Sequence, residues 1–266
     1  MSTVVNKRIA LVGAGNLATS LGVALVAAGV KPVAVWSRTA ESGKALGDRL
    51  LCPSFTNVCD MPDADIVIVS VSDNAISSVA ADVVGRYGNA MVAHTAGSVS
   101  VDVLRKAGAA NYGVFYPMQT FSKQKIVDFS ALTVFVEGCN DAAVECLEQL
   151  ARLLTPNVAR ATSEQRKCLH IAAVFACNFT NAAYCMAASL LEANGLSFDA
   201  MLPLVGEAAA KVRTIHPRDA QTGPACRGDM AVMDSHLAML GGNLKEVYSI
   251  MSNYIMNDIA IKKDKK

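Results

Sequence analysis

The sequence predicts an α/β fold: a mostly parallel, doubly wound sheet followed by an all-α C-terminal domain. Three observations carry this. Short β-rich runs alternate with helical patterns through the first half of the chain. The run "IVIVSV" is apolar throughout except for Ser70, as expected of a strand covered on both faces. Beyond "TPNVARATSEQ" no convincing strand pattern remains and the periodicity is helical.

In chain order, strands are expected at residues 7–12, 32–37, 65–71, 90–95, 112–116 and 132–136. Helices are expected at 16–28, 39–49, 74–86, 101–107 and 141–154. Thr162 and Gln165 have the spacing of a capping box that opens a long helix over 163–193, which Asn194 and Gly195 stop. Such a helix is roughly 45 Å long. Further helices are expected at 198–214, 230–240 and 244–261, with "HPRDAQTGPACRGD" (216–229) as a long polar loop between two of them. A boundary near Pro156 separates a sheet domain, 1–157, from a helical domain, 158–266.

The 266 residues are 52% hydrophobic and 18% charged, which is ample for a core and leaves disorder only to the tail "KKDKK". The lysines at 262, 263, 265 and 266 read as a solvated terminus. A net charge of +1 argues against a nucleic-acid footprint, which needs a concentrated basic face. No signal peptide is read at the N-terminus, and no stretch approaches the uninterrupted apolar run of about 20 residues that a membrane span needs. Eight scattered cysteines without a C-x-x-C pair point to free thiols and no metal. The expectation is a soluble, cytoplasmic chain.

"GAGNLA" follows the first strand by one residue and opens a helix. Its Gly13, Gly15 and Ala18 have the G-x-G-x-x-A spacing of a dinucleotide-binding turn, with Ala14, Asn16 and Leu17 between them. The first glycine permits the tight turn, the second lets the backbone approach a pyrophosphate, and the small third residue lets helix and strand pack closely. The helix N-terminus offers free N–H groups and partial positive charge to the phosphates. The first domain is therefore expected to be Rossmann-like.

An NAD site usually closes its second strand on a carboxylate, which binds the adenosine ribose and repels a 2′-phosphate. "WSRT" has none. Ser37 and Thr39 bring hydroxyls, and the planar fork of Arg38 suits a phosphate, so the expected cofactor is NADP. The plainer alternative makes Arg38 a surface arginine and Thr39 a helix cap, and Thr39 can do both. Ligands of open parallel sheets lie beyond the carboxyl ends of the strands. Those ends carry Ser72, Asp73, His94, Thr95, Ser98 and Gln119. Ser72, Asp73 and Thr95 are expected beside the nicotinamide, and Ser98 and Gln119 towards the substrate. Asp73 is equally an N-cap candidate, and His94 equally a structural histidine.

With these residues in view, "GAGNLA", "SRT", "HTAGSVSVDVL", "GVFYPMQTF", "LHIAAVFACNFTN" and "QTGPACRGD" resemble a family of NADP oxidoreductases. Its members join a Rossmann-like domain to a helical domain of unknown function, and the resemblance covers nearly the whole chain. More distantly the chain is similar to ketopantoate reductase, pyrroline-5-carboxylate reductase and the β-hydroxyacid dehydrogenases. The resemblance implies an NADP-dependent reductase with its active site in a cleft between domains, and a homodimer formed through the helical domain.

Relatives like ketopantoate reductase carry a lysine on the first long helix, with asparagines four and eight residues later. Here those positions hold His170, Val174 and Asn178. Histidine can act as a general acid near neutral pH, so His170 is the expected proton donor, with His94 its rival. At about 100° per residue, His170, Asn178 and Asn181 share one helix face. The alternative is that these polar groups only hydrogen-bond other helices. Thr222, Gly223 and Arg227 are candidates to receive an anionic substrate group, whereas Asp229 reads as a cap, Lys167 as a surface lysine and His236 as a residue without a role. The expected activity is hydride transfer between NADP(H) and a small carbonyl or imine compound, with a deazaflavin in place of NADP as a minor variant. A non-catalytic NADP sensor or scaffold is the alternative.

Overall fold

The computed structural model describes residues 3–122 and 125–264. It forms two compact units, Met1–Cys177 and Asn178–Lys266. In the first unit β1 (Ile9–Val12) leads into α1 (Asn16–Ala27), β2 (Ala34–Trp36) into α2 (Ala40–Leu50), and the edge strand β3 (Ser54–Phe55) follows. β4 (Ile66–Val69) leads into α3 (Asp73–Tyr87) and β5 (Met91–His94) into α4 (Asp102–Lys106). β6 (Asn111–Pro117), β7 (Val134–Gly138), α5 (Asp141–Arg152) and β8 (Val158–Arg160) complete the sheet.

The strand order is β3-β2-β1-β4-β5-β6-β7-β8. β1 to β6 are parallel, β7 runs antiparallel to β6, and β8 is parallel to β7. Order reverses between β1 and β4, which makes their carboxyl ends the crevice where such sheets bind ligands. β1, β4 and β5 are buried at every position, so their near-continuous Val, Ile and Ala runs reflect cover on both faces. Leu21 and Leu25 of α1, Leu46 and Leu50 of α2, and Leu147 and Leu150 of α5 fill one face. Ala80, Val83, Val84 and Tyr87 of α3 with Leu104 of α4 fill the other.

Two short strands were not expected. β3 and β8 hold too few residues to show alternation, and β8 extends the sheet beyond residue 157, where the sheet domain was expected to end. α6 (Ser163–Ala173), a π turn over Val174–Phe179 and α7 (Thr180–Glu192) form one continuous helical run. Its capping box forms as expected: Thr162 Oγ1 accepts from Gln165 N–H and Gln165 Oε1 from Thr162 N–H. Gly195, at φ 70°, ends it. The π turn holds one residue more than an α turn, so the equal 100° steps assumed for His170, Asn178 and Asn181 do not run through it.

Cys168 to Leu191 carries no Asp, Glu, Lys or Arg, and this helix is long and apolar enough by length and composition to cross a membrane. The expectation that no segment meets that measure is corrected here: scattered His, Asn and Thr interrupt the run without lowering its average below it.

The second unit continues with a 3-10 turn (Phe198–Met201), α8 (Leu202–Lys211), α9 (Pro217–Ala220), α10 (Pro224–Arg227), α11 (Met230–Met239) and α12 (Gly242–Asp264). The single helix expected over 198–214 is thus divided and shorter: Ser197 Oγ accepts from Asp199 N–H at 3.1 Å, and Pro203 falls in the first turn of α8. The polar stretch 216–229 is not a plain loop, because Pro217 and Pro224 each open a one-turn helix. Arg218 pairs with Asp258 of α12 at 3.0 Å. Of the tail lysines, Lys265 and Lys266 lie outside the described residues, and Lys262 and Lys263 are described only as backbone of α12. All eight cysteines are free thiols, as expected.

Candidate active site

Parallel register brings the expected cofactor residues together. Val12, Trp36, Val69 and His94 lie in one row across β2, β1, β4 and β5. The residues that follow them, Gly13, Ser37, Ser70 and Thr95, therefore emerge side by side at the carboxyl edge. Gly13 has φ 122° and donates its N–H to Trp36 O at 2.8 Å. A Cβ there would lie 2.2 Å from Ser70 O, so only glycine fits the turn. A Cβ on Gly15 would meet nothing within 4 Å, which leaves room above the start of α1. Ala18 is fully buried against the core. Asn16 is tied to the segment after β6 through Nδ2–H to Phe121 O at 3.2 Å.

The helices differ in how their N-termini are treated. α1, α2 and α3, which start at this edge, have no side-chain cap bond. α5, α6 and α11, which start elsewhere, are capped by Asn140, Thr162 and Asp229. α4, α8 and α10 also lack a side-chain cap, and the free N–H groups of α1, α2 and α3 are the ones that lie where phosphates would arrive. Thr39 occupies the N-cap position of α2 without making a cap bond, so its hydroxyl stays available to a ligand. Arg38 is exposed, Ser37 is buried, and among the described residues Arg38 makes no ion pair. These residues fit the 2′-phosphate of NADP.

Asp73 is not the cap of α3. Ser72 holds that position, and Asp73 instead accepts a short hydrogen bond from Ser98 Oγ. Gly97 lies against Tyr116, whose ring carbon Cζ would be 2.7 Å from an added Cβ. Burial raises the Tyr116 hydroxyl above its usual range. Gln119 accepts from the backbone N–H of Thr120 at 2.8 Å. His94 is fully buried, and its Nδ1 accepts from Ala96 N–H at 3.2 Å, which puts the proton on Nε2. Burial first, and the Arg166 cation second, lower its pKa to about 4. Burial thus holds His94 neutral, and its Nε2 finds no hydrogen-bond partner among the described residues.

Arg166, in the first turn of α6, is fully buried and was not anticipated. Its Nη1 donates to Ala96 O at 2.9 Å, Val99 O at 3.1 Å and Gly97 O at 3.3 Å. Its Nη2 donates to Glu137 Oε2 at 2.7 Å and to Ser163 Oγ at 3.0 Å. Its position beside the exposed Lys167 gave it the look of a surface cation. The available signal was Glu137, a carboxylate within the otherwise apolar strand "VFVEG", which calls for a buried partner.

His170 is half-buried in the last turn of α6. Asn178, Asn181, Thr222, Gly223 and Arg227 belong to the second unit. Asn178 lies in the π turn and is exposed, as are Asn181, Thr222 and Arg227, and Gly223 (φ 105°) precedes α10. His236, left without a role, is engaged by Tyr248 OH at 2.8 Å. Asp229 caps α11 as expected.

Residues 8–97 match the family described as NADP oxidoreductase, coenzyme F420-dependent, and residues 132–255 match a domain of unknown function, DUF2520. Over 96% of its length the chain is similar to a "putative NADP oxidoreductase" from Bacteroides fragilis, at 42% identity over 100% of that chain and a TM-score of 0.89. The chain belongs to this family of NADP oxidoreductases. Two solved structures share the fold: an imine reductase from Myxococcus stipitatus in complex with NADP+ (17% identity, 97% of this chain, 94% of that one, TM-score 0.66) and a pyrroline-5-carboxylate reductase from Coxiella burnetii (18%, 96%, 97%, 0.57). No curated protein matches the chain. Cofactor and fold class are thus those expected from "GAGNLA" and "WSRT".

The depressed His94 pKa has a measurable consequence. Between pH 6.5 and about 4 the unfolded chain takes up a proton at this residue and the folded chain does not. Stability from this group therefore falls as pH falls through that window and is level above it, for a total on the order of 3 kcal/mol. Asn at this position keeps an acceptor for Ala96 N–H without titrating. Urea melts from pH 7 to pH 4 are expected to show a shallower acid loss for His94→Asn than for the parent chain; identical losses would refute the assignment.

Proposed function

We propose that this chain is an NADPH-dependent reductase that passes hydride between the nicotinamide and a small carbonyl or imine compound. The observation that supports it most is the carboxyl edge of the sheet, where three uncapped helix N-termini, an open Gly15 and the carboxylate-free Ser37–Arg38–Thr39 end converge. Gly13 to Leu17 would hold the pyrophosphate, Ser37, Arg38 and Thr39 the 2′-phosphate, and Ser72, Asp73 and Thr95 the nicotinamide side. The cofactor carries the hydride, so the protein has to orient the substrate and supply a proton. An imine substrate is favoured by likeness to the NADP+-bound imine reductase, and the F420 in the family's description makes a deazaflavin a hydride partner to include in any panel. NADPH is expected to bind about 10- to 100-fold more tightly than NADH, with Arg38→Asp abolishing the preference in calorimetric titrations. Equal affinities in the parent chain would overturn the cofactor reading.

His170 is proposed as the proton donor, with Asn178 as a polar partner for the substrate. Ser98, Gln119, Asn181, Thr222, Gly223 and Arg227 are the proposed substrate contacts, Arg227 taking an anionic group. His170→Ala is expected to lower turnover by about 10²- to 10⁴-fold with NADPH affinity unchanged, followed at 340 nm over a panel of oxo acids, cyclic imines and deazaflavin. Full turnover in the variant would return this helix position to packing. The valine and histidine at positions 174 and 170 also favour a second reading, a non-catalytic NADP sensor. Steady NADPH consumption with any member of the panel excludes it.

A homodimer through the helical half is the proposed assembly. Beyond residue 177 only Ala225, Met233 and Ser252 are buried among the described side chains. Phe175 is 64% exposed, Phe179 54%, Leu204 64% and Ile250 67%, which is far more apolar surface than a monomer carries in water. A second copy presenting the same faces would cover it, as isologous interfaces do. Light scattering is expected to give twice the chain mass at micromolar concentration. A strict monomer, or partition of the chain into lipid vesicles through the 163–192 helix, would overturn this.

A further inference from the structure

We propose that Arg166 is the positioning residue for the nicotinamide half of the cofactor site. The inference rests on the NADP reading above and concerns what holds the loop after β5 in shape. That loop, "AGSVS", leaves the sheet beside Thr95 and carries Ser98 back to Asp73. Local bonds hold its two ends, Ala96 N–H to His94 Nδ1 and Asp102 N–H to Ser100 Oγ, but the stretch between them is short and not helical. Its shape is imposed from beneath by one guanidinium, which gathers the carbonyls of Ala96, Gly97 and Val99 onto a single nitrogen, Nη1.

Every peptide bond described is trans, so each N–H points away from the carbonyl of its own peptide unit. With the carbonyls of Ala96 and Gly97 turned inward to Arg166, the N–H groups of Gly97 and Ser98 face away from the guanidinium. Donors so placed at the end of β5 suit the carboxamide oxygen of a nicotinamide. The guanidinium is itself held from the other side. Glu137 Oε2 accepts from Nη2 at 2.7 Å and Nε at 3.2 Å, and Ser163 Oγ donates to the same carboxylate oxygen at 2.9 Å while accepting from Nη2 and from Val101 N–H. Lysine retains the charge at position 166 but has no planar fork to serve three carbonyls and a carboxylate together.

The test compares two ligands that share the adenosine half. 2′,5′-ADP reports on Ser37, Arg38 and Thr39 and, through its 5′-phosphate, on the turn before α1, whereas NADPH also needs the nicotinamide end. In Arg166→Lys and Glu137→Gln, NADPH affinity is expected to fall about tenfold while 2′,5′-ADP affinity stays within about twofold. The fluorescence of bound NADPH at saturation is expected to move towards that of the free cofactor. An unchanged NADPH to 2′,5′-ADP affinity ratio, or an equal loss for both ligands, would overturn the proposal; the second outcome would mean that the pair only supports the fold. Ser163→Ala, which removes the three hydrogen bonds of this hydroxyl but no charge, is the milder variant, with the same signature at smaller size. Failure of the parent chain to bind 2′,5′-ADP would instead overturn the NADP reading itself.

Discussion

Arg166 takes a full positive charge into the protein interior, and the first unit is arranged around accommodating it. An unpaired buried cation costs several kcal/mol, and removing one partner of such a pair typically destabilises by about 3–5 kcal/mol. Here one carboxylate, one hydroxyl and three carbonyls share the task. Those partners come from β7, from the start of α6 and from the loop after β5, three segments separated by 26 to 70 residues in sequence. The cation also sets the state of its neighbour, because a second positive charge on His94 would meet both burial and Arg166. A charged arginine and a neutral histidine beneath the same loop are one electrostatic solution.

The sheet adds a second constraint. Parallel strands ending in register deliver Gly13, Ser37, Ser70 and Thr95 to one edge, whatever the loops do afterwards. Helices beginning there keep their N–H groups free, whereas α5, α6 and α11 are capped by their own sequence. A side-chain cap is commonly worth about 1 kcal/mol, so three missing caps at one edge are a local loss of stability. An anionic ligand restores it on binding, because it supplies the acceptors those N–H groups lack.

Much of this was legible in the sequence, for identifiable reasons. The strands with long Val and Ile runs, the capping box at Thr162 and the glycine-rich turn each depend on a local pattern, and each forms as that pattern implies. The elements that were not legible depend on tertiary context. β3 and β8 exist because β2 and β7 offer them an edge, not because two or three residues favour a strand. The π turn over Val174–Phe179 has no sequence signature of its own, so a uniform helical wheel could not foresee it. At the site, "GAGNLA" and "WSRT" pointed to the carboxyl edge of the sheet, yet Arg166 was hidden, since a cation in the first turn of a helix is ordinarily solvated. The burial of His94 likewise came from the loop folded over it.

The two halves differ in how they are stabilised. In the first, core residues from α1, α2 and α5 on one face and from α3 and α4 on the other leave β1, β4 and β5 dry, and the sheet closes its own core. In the second, polar pairs do much of the local work: Arg218 with Asp258, His236 with Tyr248, Ser197 at the turn before α8 and Asp229 at the start of α11. Exposed pairs of this kind contribute at most about 1 kcal/mol each, too little to offset the conformational entropy of ordering helices α7 to α12. In the homodimer proposed above, burying Phe179, Leu204 and Ile250 would supply more. In that proposed assembly the folding of the helical half would be linked to association, so its stability would rise with protein concentration while that of the sheet half would not.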